Sequence, residues 1–239
     1  MTTLRLALRQ FRFVNRAFWR NPPAAFFTFA FPLMFLVIFT SLLGHGSVDL
    51  GTRSINISTY YVASMGAFSL ISACFTNLAL SISFQRDSDI LKRLDATPLT
   101  RAAYFTSRVL HALFISIILV VITAAFGAAF YPASIPTGTT LLRFLVVLIV
   151  GAASFSALGV AATIAVPNAN AAPAVVNAMI LPLLFLSGIF IPLGSNAPTW
   201  IVWVARIFPV RHFALGMQSG FVGTSFHWSD VLVVGLWGV

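Results

Sequence analysis

Proton transfer, metal binding and nucleophilic attack draw on a few side-chain types, and this sequence is poor in them. Its acids are Asp49, Asp87, Asp89, Asp95 and Asp230, with no glutamate, and its histidines are His45, His111, His212 and His227. A His-Glu-x-x-His zinc protease site is excluded by that composition. No metal site is expected, and each histidine reads as an interfacial or loop residue. Cys74 falls inside an apolar run and says nothing of disulfides or redox compartment. No Gly-x-Ser-x-Gly elbow occurs, and Ser187-Gly188 reads as a helix-end hinge rather than a nucleophile. Lys92 is the single lysine and follows Leu91, so there is no Gly-Lys-Ser/Thr phosphate loop. Ion-coupled carriers keep a carboxylate within the membrane, whereas all five aspartates here map to loops or interfaces. If transport is driven by ATP, another subunit must hydrolyse it.

One stretch concentrates the charge that is present. Gln85 to Arg101 holds Arg86, Asp87, Asp89, Lys92, Arg93, Asp95 and Arg101, seven of the nineteen charged residues, between two long apolar runs. Ile90, Leu91 and Leu94 sit at helical spacing, and Thr97-Pro98 supplies a stop. A compact amphipathic helix over about Arg86–Asp95, kept in water between two membrane spans, suits docking on a soluble partner.

The elements around it are apolar. Of 239 residues 59% are hydrophobic and 8% charged, and mean hydropathy is +0.96. Several runs exceed the roughly 18 residues that mark a span, so the chain reads as an all-α integral membrane protein in one domain. The net charge of +9 does not point to nucleic acid, because basic loops beside spans set orientation and touch anionic lipid.

Residues 1–21 carry Arg5, Arg9, Arg12, Arg16 and Arg20 in one stripe, with Leu4, Leu8, Phe11, Val14 and Phe18 opposite. That predicts an interfacial helix on the inner leaflet rather than a secretory signal; a plain positive-inside anchor fits equally. Spans are expected at 24–43, opened by Asn21-Pro22, then 60–84, 102–130, 141–166 and 171–191, with the charged segment at 85–101. Residues 192–228 are broken by prolines and glycines yet apolar, which predicts two short helices dipping into the outer interface. A last run, 230–239, rises only about 13 Å at about 1.5 Å per residue, so this span is expected to continue past Val239. Ten of the fourteen basic residues fall on the side of the N-terminus, which places it and residues 85–101 inside.

Two further patterns lie within the spans. Ala153, Ala157, Ala161 and Ala165 repeat every four residues beside Gly151 and Gly159, a pattern for close helix approach, read as packing within one subunit ahead of a dimer contact. Asn77 and Ser81 share a face of the second span, and Asn177 and Phe185 lie in the fifth. Amides beside aromatics suit an amphipathic or lipid-like cargo, and interhelical hydrogen bonding explains them as well.

The order of elements resembles the permease subunit of type 2 ABC exporters, the ABC-2 family. There the segment after the second span reads roughly Glu-Arg-Glu-x-Gly-Thr-Leu-x-x-Leu, then Thr-Pro-Leu. Here it is Gln85-Arg86-Asp87-Ser88-Asp89-Ile90-Leu91-Lys92-Arg93-Leu94, then Thr97-Pro98-Leu99, with Gln85 in place of the first Glu and Asp89 in place of Gly. Ser187-Gly188-Ile189-Phe190-Ile191-Pro192, Pro198-Thr199-Trp200 and Phe208-Pro209 are similar to the family's pattern before its last span.

The resemblance implies a six-helix permease with an interfacial N-terminal helix, a cytoplasmic coupling helix and outer re-entrant helices before the last span. It implies a multi-pass protein of the bacterial plasma (inner) membrane with its N-terminus in the cytoplasm. Its partners would be an ABC ATPase subunit, a second permease copy or close homologue, meeting mainly through the first and fifth spans, and membrane lipids. This chain would bind no cofactor; ATP and Mg would sit on the ATPase. Coupling to that ATPase would fall to Arg86, Asp87, Asp89, Lys92, Arg93 and Asp95 as charges and Leu91 and Leu94 as an apolar knob, closed by Thr97-Pro98. Ser187, Gly188, Pro192, Pro198, Trp200 and Pro209 would form the outer, re-entrant part. Drug or antibiotic efflux fits the short loops, and export of a lipid-linked polysaccharide or glycolipid is the rival within the family. Outside it stand a membrane enzyme, for which no buried nucleophile or metal set is seen, and a channel or scaffold, which would need no ATPase.

Overall fold

The computed structural model describes residues 3–43, 46–49, 54–94, 97, 99–131, 133–193, 198–222 and 226–239. Chain direction changes where capping residues allow it. Helix α1 (Thr3–Trp19) ends just before Asn21, whose carbonyl accepts from Ala25 N at 3.0 Å as α2 (Pro22–Leu43) begins. Proline at the first helical position loses no bond there. A two-stranded antiparallel hairpin, β1 (Ser47–Asp49) and β2 (Ser54–Asn56), precedes α3 (Ile57–Ile71). Asn56 caps α3, its Oδ1 accepting from Ser58 N at 2.9 Å.

The second long helical run is continuous from Ile57 to Asp87 but not uniform. A π-helical turn, Ser72–Thr76, separates α3 from α4 (Asn77–Asp87). Then come α5 (Ile90–Leu94), α6 (Arg101–Phe130) and α7 (Gly138–Ala162), which tightens into a 3-10 turn at Thr163–Ala165. The chain continues through α8 (Ala172–Leu186), α9 (Thr199–Ile207), α10 (Pro209–Val222) and α11 (Trp228–Trp237).

Among the described residues four helical runs are long and apolar enough to cross a membrane: Pro22–Leu43, Ile57–Asp87, Arg101–Phe130 and Gly138–Ala165. The apolar helices α8 and α11 are shorter. At about 1.5 Å per residue α8 rises roughly 22 Å, against a hydrocarbon core of about 30 Å. The fifth apolar run, expected over 171–191, stops at Leu186 because Gly188, with φ +84°, turns the chain left-handed.

Helix α3 is the centre of the bundle, buried along its whole length and packed by α2, α6 and α10. Its small and hydroxyl-bearing residues let neighbours approach. Ser64 Oγ accepts from Gln218 Nε2 at 2.9 Å, a polar tie to α10 inside the apolar core. The alanine stripe of α7 corrects one expectation: Ala153, Ala157, Ala161 and Ala165 are exposed, so they do not pack within the subunit. The packing face of α7 is the one bearing Gly151, Phe155 and Gly159. A Cβ on Gly159 would lie 2.9 Å from the carbonyl oxygens of Cys74 and Phe75, so the glycine admits the widened turn of the neighbouring span.

Candidate functional site

The charged segment is divided between two elements. Arg86 and Asp87 form the last turn of α4, and the helix expected over Arg86–Asp95 is in fact the five-residue α5. Asp89 separates them: its φ of 58° lies in the left-handed region, where an α-helix cannot continue. Ser88 Oγ donates to Phe84 O at 2.8 Å, closing the end of α4. Asp89 O accepts from Arg93 N at 3.1 Å to start α5.

Arg86 and Asp87 reach across to the turn between α7 and α8. Arg86 donates from Nη1 to Thr163 O at 2.8 Å and from Nη2 to Val166 O. Carbonyls at a helix C-terminus lack intrahelical donors, and a planar guanidinium can bridge two of them while placing a cation at the negative end of the helix dipole. Asp87 Oδ2 accepts from Ala169 N at 3.3 Å in the same turn. These two side chains therefore fix where α4 ends, and they are engaged inside the subunit.

Beyond that clamp α5 turns its charged face outward. Lys92 and Arg93 are exposed, and Leu91 and Leu94 are half-buried. Lys92 Nζ lies 2.7 Å from Asp89 Oδ1, both in water. Hydrogen bonding to Lys92 holds the Asp89 carboxyl below its ordinary pKa and raises that of Lys92. A cleft of about 230 Å3 lies under the helix, lined by Leu91, Lys92, Leu94, Arg101, Tyr104 and Phe105. Thr97 Oγ1 donates to Leu94 O at 2.8 Å and closes the element. Asp95 and Pro98 lie outside the described residues.

Immediately before Arg86, Gln85 anchors a second network. Its Oε1 accepts from Tyr104 OH at 2.6 Å and from Arg108 Nη2 at 2.6 Å, while its Nε2 donates to Ser81 Oγ at 3.0 Å. Arg108 Nη1 also donates to Ser81 Oγ at 3.2 Å, and the guanidinium carbon sits 5.3 Å from the Tyr104 ring centre. The network forms one wall of a cavity of about 470 Å3 between α1, α2, α4 and α6. Asn21, Thr28, Asn77 and His111 supply the other polar lining, and His111 is sandwiched by the rings of Phe11 and Phe18 of α1.

At the other end of the bundle Ser187 and Gly188 are buried. Tyr60 OH donates to Gly188 O, Tyr61 OH to Phe190 O at 3.1 Å, and Arg211 Nη1 reaches Ser187 O at 3.5 Å. Gly188 turns the chain so that Phe190 meets Phe35, Phe39, Phe68 and Phe185. Pro192 is half-buried; Pro198 precedes α9, from which Trp200 projects into the surroundings, and Pro209 opens the buried helix α10. His212 of α10 lies 2.6 Å from Asp230 of α11, and Trp237 Nε1 donates to Ile207 O at 3.1 Å. This latch joins α11 to the α9–α10 corner.

A family model described as ABC-2 type transporter matches residues 4–222 of the chain. The chain belongs to that family. It is also similar to "Putative transport permease ycf38" of Porphyra purpurea, at 25% identity over 224 residues covering 92% of this chain and 75% of that one. The protein is thus an ABC-2 permease, a multi-pass transport subunit of the membrane, all-α apart from its short hairpin.

In this permease the expected site residues fall into separate places. Arg86 and Asp87 are in the clamp, and Asp89, Leu91, Lys92, Arg93 and Leu94 are in the protruding turn and helix. Asn77 and Ser81 line the four-helix cavity, whereas Asn177 and Phe185 are exposed on α8, so the pathway pairs do not share one cavity. Sequence spacing alone does not mark Gln85, Tyr104, Arg108 and His111 as one site. Arg108 carried the signal: a cation two turns into a span needs an internal partner.

Proposed function

We propose that this permease, driven by a separate ABC ATPase that binds ATP and Mg, moves an amphipathic drug- or antibiotic-like molecule outward across the bacterial plasma membrane. Family membership implies an ABC ATPase partner, and α5 is the element suited to meet it. The observation that carries the reading is the exposed charged face of α5: a short cationic helix with an apolar underside toward the start of α6, set apart from α4 by the Arg86–Asp87 clamp and the left-handed Asp89. A push on such a knob passes through α4 directly into the buried α3. The N-terminus and α5 would face the cytoplasm, as the distribution of basic residues favours.

The test is co-reconstitution of the permease with an ABC ATPase in liposomes, following drug efflux and ATP hydrolysis. Reversing Lys92 and Arg93 together to glutamate should lower ATP-driven efflux about tenfold or more, the scale of charge pairs at an interface, with insertion unchanged. Efflux by the permease alone without ATPase, or unchanged coupling in the double variant, would overturn the proposal. Transport of a lipid-linked oligosaccharide in place of drug would keep the motor and reassign the cargo.

A further inference from the structure

We propose that the cavity between α1, α2, α4 and α6 binds the phosphate of an anionic lipid headgroup from the inner leaflet, as a resident lipid and not as cargo. The inference rests on an imbalance of charge. Arg108 is the cationic group of the cavity, and among the described residues lining it there is no carboxylate. Its two contacts on the cavity wall, Gln85 Oε1 and Ser81 Oγ, are neutral. Its Nε is buried with no hydrogen-bond partner, and so is Nε2 of His111, one turn further along α6.

A half-buried guanidinium held by neutral acceptors lacks a counter-charge among the described residues around it, and a phosphate oxygen is the acceptor its fork matches best. Asn21, Thr28 and Asn77 add neutral polar groups for the remainder of a headgroup. The rest of the lining is apolar, including Phe18, Leu78, Ala112 and Ile115, which suits the start of an acyl chain and not a free ion. The volume of about 470 Å3 falls in the range of small-molecule sites, roughly 300–1,000 Å3. One side of the cavity is lined by Val14, Ala17 and Phe18 of α1, whose arginines are exposed and would draw anionic lipid to that level of the membrane.

The decisive variant is Gln85→Glu. It retains the acceptor for Tyr104 and Arg108 but places a carboxylate against the guanidinium, which neutralises Arg108 from within and repels phosphate. Native mass spectrometry of the full chain, released from micelles containing equal phosphatidylglycerol and phosphatidylcholine, should show phosphatidylglycerol retained at least about tenfold better. Gln85→Glu and Arg108→Gln should each remove that preference, and Gln85→Glu should retain the thermal midpoint of the parent in detergent. Equal retention of the two lipids, or an undiminished preference in a folded Gln85→Glu protein, would overturn the proposal. Titration with inorganic phosphate in phosphatidylcholine micelles separates the sources. Saturation by phosphate at concentrations where phosphatidylglycerol binds would assign a free anion and overturn the lipid site.

Discussion

A backbone in the left-handed region selects the residue that can live there, and Asp89 is such a place. With φ at 58° it does what glycine does at least expense, and aspartate is among the few other residues that tolerate it. Asp89→Gly should therefore leave the thermal midpoint in detergent close to that of the parent, and Asp89→Ala should lower it. Equal midpoints for the two variants would show that the turn is not built on that conformation. The ion pair with Lys92 adds a pH dependence of known sign: the carboxyl is held below its ordinary pKa, so the pair persists at neutral pH and is lost as pH falls through that lowered value. The charges of this segment were legible in the sequence, but their commitments were not. Nothing in the spacing of Arg86 and Asp87 reveals that carbonyls and an amide some eighty positions downstream would engage them. Gln85 stood out only as a departure from a pattern, and its meaning required the positions of Tyr104 and Arg108.

Helices were the most legible level, because apolar runs and a start such as Asn21-Pro22 are local signals. The faces of those helices were less so. A four-residue repeat of alanine in α7 suggested the packing side, yet the contact is made by Gly151 and Gly159, where the Phe213 ring and the backbone of Cys74 and Phe75 leave no room for a side chain. The π turn had no signature at all, since Ser72–Thr76 is compositionally ordinary. It is detectable only through the glycine that accommodates it. Gly159→Ala should destabilise the permease by about 1–3 kcal/mol, read as a lowered thermal midpoint in detergent, because the new methyl meets backbone rather than a movable side chain. An unaltered midpoint would mean that α7 does not press on the turn.

Across the whole molecule, the faces left uncovered say where neighbours belong. Helix α2 exposes Phe26, Phe27, Phe31, Met34 and Val37, as hydrocarbon or a second copy would require. Helix α8 exposes Met179, Leu181 and Phe185 and, among them, the amide of Asn177. An amide directed at acyl chains is unfavourable, and one directed at the same helix of another copy can be satisfied. Asn177→Ala should lower cross-linking between copies in native membranes by roughly threefold to tenfold, the equivalent of about 0.6–1.4 kcal/mol, with abundance unchanged. A loss of abundance with cross-linking per molecule intact would place the amide in the packing of one subunit instead. Topology and membrane class followed from the sequence because hydropathy reports on solvent; partner surfaces did not, because lipid and protein select the same apolar residues.

The widened turn at Ser72–Thr76 carries one residue more than a regular helix needs to close a turn. Excising a single residue there would restore an unbroken spiral with everything downstream nearly in phase, because the wide turn already absorbs its extra residue within about the rotation and rise of a regular one. Arg86 would still face Thr163 and Val166, whereas the same excision from the regular part of α3 or α4 would turn it away by about 100°. A one-codon deletion outside that turn, invisible to any hydropathy plot, would leave a polypeptide that inserts normally with its handle facing the wrong way, and within the turn it would be absorbed.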